Sequence, residues 1–147
     1  MIISASNYTQ STRMIDHEHL ALELKQALRA TMFSSTLRVA PRHLQQLADQ
    51  LATLIAHALE HDLDTTILYN HGAQLVADGL SHRAILGMTL AINRFCWNHN
   101  DPDVQQAAVN GSLVQPILEG YMHAREAHLL REQELTRKAL DRARLER

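Results

Sequence analysis

Pro41-Arg-His-Leu-Gln-Gln-Leu-Ala-Asp-Gln-Leu-Ala-Thr-Leu-Ile-Ala-His-Ala-Leu-Glu-His61 decides the fold class. Its Leu44, Leu47, Leu51, Leu54, Ile55 and Ala58 fall within roughly 100° of arc when plotted at the helical repeat, while the charged residues and glutamines take the rest. Strand alternation is absent. Pro41 suits the first turn of a helix, where its missing N–H costs nothing. The segment is therefore an amphipathic helix that needs a hydrophobic partner on one side.

The same signals recur on both sides of it. Upstream, Leu20, Leu24 and Leu28 predict a helix over about Asp16 to Met32, with Asp16 and Glu18 at its positive end. Downstream, Asp62 or Asp64 can cap a helix from Thr65 to Asp78, with Gly79 as its left-handed stop. Leu68, Gly72 and Leu75 form the inner stripe of that helix. Ser81 reads as the cap of a fourth helix reaching about His99.

That fourth helix has two apolar faces. One carries Ile85, Met88, Thr89, Ile92, Phe95 and Cys96; the other carries Leu86, Leu90 and Trp97. A helix of this kind is either central in a bundle or part of a subunit interface, and the second face is read here as an interface.

Asp101-Pro102 predicts a fifth, short helix, interrupted at Asn110-Gly111. Ser112 and Gln115 have the spacing of a capping box, so a sixth helix is expected from about Leu113. The alternative is one helix kinked at Pro116. Up to Met122 the last helix offers core residues such as Ile117, Leu118 and Tyr121. From Arg125 to Arg147 it carries seven Lys or Arg and five Asp or Glu. Glu134 with Lys138, and Arg142 with Glu146, are spaced as supporting pairs on an exposed helix. Leu129 and Leu135 are candidate contact residues, but charged seam positions argue for a connecting helix over a stable zipper. The chain stops in mid-pattern, so a downstream domain is expected.

The expected organisation is a polar flexible segment over 1–14, a helical bundle over 15–122 and a charged exit helix over 123–147. The fold class is all-α, a bundle of five to six helices. With 147 residues there is room for one core. Hydrophobic residues make up 46% and aromatics only 4%, and Leu, Ala, Gln, Glu and Arg favour helix. A net charge of -2 gives no basic field for nucleic acid. No run approaches the roughly 20 apolar residues that span a bilayer. Residues 1–13 lack the pattern of a signal peptide, and a lone Cys96 fits a reducing compartment, so a cytoplasmic location is expected.

Ten histidines raise the question of metal or haem. His57 and His61 stand at i,i+4, the spacing for a shared metal ion, but Ala58 occupies the position where a zinc protease needs its general base. His71 lies on the inward stripe beside Gly72, and a glycine inside a helix costs about 1 kcal/mol relative to alanine. Close approach by another helix or a ligand is expected there. His71, Phe95 and Tyr121 are the candidate pocket residues; His71 reads as a buried structural histidine, a pocket wall, a pH-sensing group or a haem or metal ligand. Catalysis has no motif: phosphate-cradling loops, nucleophile elbows and paired cysteines are all absent, and Cys96 sits among Ile92, Phe95 and Trp97 as an inert thiol.

His71-Gly-Ala-Gln-Leu-Val-Ala-Asp-Gly-Leu-Ser-His-Arg-Ala-Ile-Leu-Gly-Met-Thr-Leu-Ala-Ile-Asn-Arg-Phe-Cys-Trp97 resembles the N-terminal domains of RsbR-type stressosome proteins, the co-antagonists of the RsbT kinase. The matching features are Gly79 ending a helix, Ser81 starting the next, the periodic Ile85 and Ile92, and Trp97 near the end. The resemblance implies a globin-like or related bundle, dimeric and without haem. It also implies an exit helix leading to a STAS or kinase output domain, and association with other stressosome-like signalling proteins. It carries over no catalytic residue. The many histidines depart from the family's pattern and keep a haem- or metal-binding sensor open as an alternative. A structural protein-interaction adaptor is the other.

Overall fold

The computed structural model describes residues 15–31, 41–61 and 64–146. The expected polar segment 1–14, the Asp62 cap and Met32 at the end of the first helix lie outside them. Six helices form, α1 His17–Ala30, α2 Pro41–Glu60, α3 Thr65–Ala77, α4 His82–Trp97, α5 Pro102–Asn110 and α6 Val114–Leu145, with no strand among the described residues. The fold is a helical bundle with a long C-terminal helix.

Local chemistry sets most of the boundaries. The carboxylate of Asp16 accepts from the His19 amide, that of Asp64 from Thr66, and that of Asp101 from Asp103; the Ser81 hydroxyl accepts from Ala84. Each satisfies an N–H that the first helical turn leaves without a carbonyl. After α3 and α5 the chain turns through Gly79 (φ 86°) and Gly111 (φ 66°), a conformation that L side chains disfavour.

One expectation fails here. Ser112 does not cap α6 and no capping box forms. Leu113 occupies the cap position without a side-chain bond, Gln115 N donates to the Gly111 carbonyl, and the Gln115 side chain donates forward to Glu119. The Gln115 N–H that a Ser112 cap would take already has the Gly111 carbonyl as its partner, so the capping box has nothing to bond. The kinked-helix alternative also falls away, because Gly111 separates α5 from α6 and Pro116 sits in the first turn of α6 without breaking it.

Helix α4 joins the bundle together. It packs on α1, α5 and α6, while α2 lies mainly on α1 and α3 mainly on α6. Leu20, Leu24 and Leu28 of α1, Leu51 and Ile55 of α2, and Ile85, Met88 and Ile92 of α4 are all buried in one continuous core. Of the α2 stripe, Leu44, Leu47, Leu51 and Ile55 are buried, and Leu54 and Ala58 half-buried at its edge. The core closes at the far end with Val104, Leu113, Ile117 and Tyr121.

Candidate functional site

Three features stand out beyond the core: the crossing of α3 with α6, the outer face of α4, and the cleft between α2 and α3. The crossing is made possible by two glycines. A Cβ on Gly72 would collide with the backbone carbonyl of Ile117, and one on Gly120 with the carbonyl of Tyr69. Each helix thus presents a glycine to the other's backbone, and the axes come closer than side chains allow. Weak Cα–H···O contacts are available at such separations. The close approach read from Gly72 is made by a helix. Gly120 was not singled out in the sequence, although a glycine in the middle of a helix is the same signal.

Beyond the crossing, the Tyr69 hydroxyl and His123 Nδ1 are hydrogen-bonded at 2.7 Å, and Tyr121 donates from its buried hydroxyl to the Leu80 carbonyl at 2.7 Å. These contacts hold α3, the α3–α4 turn and α6 together as far as His123. Tyr121 is the last buried residue of α6; from Met122 to Glu146 its side chains are exposed apart from partly covered Ala124 and Glu134. The 32-residue helix has a length of roughly 48 Å at 1.5 Å per residue. Its exposed half carries an ion pair between Glu134 and Arg137 at 2.9 Å. Glu134 therefore takes the i+3 partner instead of Lys138, and Arg142 and Glu146 form no ion pair: on an exposed helix these geometries differ little in energy.

On α4 the two faces separate cleanly. Ile85, Met88, Thr89, Ile92, Phe95 and Cys96 are buried, whereas Leu86, Leu90 and Trp97 are 42%, 62% and 62% exposed. Val109 of α5 is also exposed, and with Leu90, Arg94 and Trp97 it lines a shallow depression of about 460 Å³. The helix contains Arg83 and Arg94 but no acidic residue, and neither arginine forms an ion pair within the described residues. Leu129 and Leu135 are likewise exposed on α6. All five residues read as contact candidates thus have free surface in the single chain.

The three candidate pocket residues have different neighbours. Phe95 is buried between the rings of His19 and His99, at centroid distances of 5.9 and 6.2 Å. Tyr121 faces Leu80 in the core. His71 instead borders the cleft between α2 and α3, together with His57. Its Nε2 is buried without a partner, and burial pushes its pKa below the ordinary value, against a smaller raising effect from Asp78. The rings of His57 and His61 lie 4.5 Å apart, yet both are exposed and no group of three or more metal-ligating side chains forms among the described residues. Zinc ordinarily takes three or four protein ligands, so this pair alone is an incomplete set.

Cys96 is fully buried, and burial pushes its thiol up to about 11, far from the condition of a nucleophile. No described helix is long and apolar enough to cross a membrane. No family model, curated protein or solved structure matches the chain.

Proposed function

We propose that this chain is a non-catalytic sensory and dimerisation module of a bacterial stress-signalling regulator. In this reading it acts in the cytoplasm and relays a conformational change along α6 to a STAS-like or kinase output domain. The observation that carries the reading is α6 itself. Its first two turns are clamped through Gly120 and Tyr121, and the rest continues as one exposed helix. A displacement of α3 at the crossing would move the far end of that helix as a lever, because a continuous helix transmits motion that a loop would absorb.

The outer face of α4 serves as the dimer surface in this proposal. Exposed apolar side chains gathered on one helix face are uncommon on monomers, and Trp and Arg together are the residue types that dominate interface energetics. The resemblance of residues 71–97 to RsbR-type N-terminal domains supports the same class, including a globin-like bundle and association with other stressosome-like proteins. Sedimentation of the full chain at micromolar concentration tests it. The expected result is a dimer that dissociates on Leu90→Asp or Trp97→Ala, with helical content unchanged. A monomeric wild type, or a dimer indifferent to both changes, would remove the dimerisation role.

A further inference from the structure

Helices α2 and α3 are consecutive in the chain but hardly touch. Each is committed elsewhere, α2 to α1 and α3 to α6. Between them lies an open cleft of about 770 Å³, within the size range of small-molecule sites. Leu54 from α2 and Ile67 from α3 contribute its apolar surface, and Ile67 is 47% exposed. The polar groups come from Asp49, Gln50, Thr53, His57, Asn70 and His71.

The charges select the ligand class. Asp49 is a carboxylate fixed by the Gln45 amide, which donates to it at 3.0 Å, and no Lys or Arg lines the cleft. Thr53 is already committed, donating to the Asp49 carbonyl at 2.7 Å and bonded to His17 Nε2 at 2.7 Å. An anion would meet the Asp49 carboxylate with no fixed positive charge in the lining to offset the repulsion. A cation gains from Asp49, and the side-chain amide oxygens of Gln50 and Asn70 can accept from a hydrogen-bonding head.

We propose that the α2–α3 cleft binds a small amphipathic cation, an ammonium or protonated amine on an apolar body, with Asp49 facing the charge and Leu54 and Ile67 the body. The inference rests on the sensory reading above, for which it names the ligand class. Its consequence follows from position. His71 borders the cleft while Gly72, the next residue, is locked to α6, so a ligand tying α2 to α3 acts directly on the crossing.

The test is an NMR titration of the full chain with n-octylammonium, octanoate and octanol, each below its micelle-forming concentration. Octylammonium should give saturable shifts at Leu54, Ile67 and His71, with octanoate binding at least about tenfold more weakly, a difference of about 1.4 kcal/mol. Asp49→Asn should abolish that preference, and Ile67→Gln, at an exposed position, should weaken both octylammonium and octanol. Equal affinity for octylammonium and octanoate, shifts centred on the α4 face, or no saturation would each overturn the proposal. Sedimentation of the same samples keeps the two readings apart, because a dimer lacking this site and a monomer possessing it are different outcomes.

Discussion

The backbone carbonyl of Ile117 occupies the place where a side chain on Gly72 would begin. The reciprocal contact of Gly120 with Tyr69 makes the crossing of α3 and α6 a backbone-to-backbone junction. Gly72→Ala and Gly120→Ala should each destabilise the fold by about 1–3 kcal/mol, the usual cost of overpacking. The alanine gain in helix propensity, about 1 kcal/mol, works in the opposite direction and loses. Gly87→Ala is the control: its Cβ would stand 3.6 Å from the Thr31 methyl, ordinary contact, so it should be neutral or stabilising. Urea unfolding of the three variants checks this, and a similar loss in all of them would refute the junction.

Tyr121→Phe should cost about 1–3 kcal/mol, because it leaves the buried Leu80 carbonyl without its donor while removing almost no volume. Chemical denaturation of this variant beside Tyr69→Phe separates buried from exposed loss. The Tyr69–His123 bond is solvent-exposed, and its removal should be nearly neutral.

Cys96 should resist thiol reagents in the native state. With its pKa at about 11, roughly one thiol in a thousand is ionised at pH 8, and the sulfur is buried besides. Alkylation by iodoacetamide should accelerate sharply only in unfolding concentrations of urea. Rapid native labelling would show that α4 opens locally.

His71 should make stability fall on acidification. Its pKa is lowered in the fold from an ordinary 6.5, so below that value the unfolded chain binds a proton that the native state resists. The contribution is fully present above 6.5 and is lost as pH falls from there toward the lowered native value. His71→Gln should flatten that part of the profile. An NMR titration of the His71 ring with a midpoint at or above 6.5 would contradict it.

Much of the helical order was legible in the residues themselves. Asp16, Asp64, Ser81 and Asp101 act as caps within three residues of their own positions, and the stripe of α2 needs only its own periodicity. Gly72 announced a close approach for the same reason, because a glycine in a helix interior is costly without one. The candidate site was less legible. Ser112 and Gln115 had the spacing of a capping box, but the turn begun at Gly111 supplied the hydrogen bonds first. The sequence offers His71, Phe95 and Tyr121 as candidate pocket residues, yet His71 borders the α2–α3 cleft while Phe95 and Tyr121 are buried in the core.

By itself the sequence determined the helices, their caps and the inward stripes, because these depend on interactions between residues a few positions apart. Tertiary structure alone decided that α2 and α3 stand apart around a cleft, that Gly120 meets Tyr69, and that Leu86, Leu90 and Trp97 stay exposed. Those outcomes depend on which helices become neighbours. A helix's own periodicity shows that a face is apolar; it does not say what the rest of the chain leaves available to cover it.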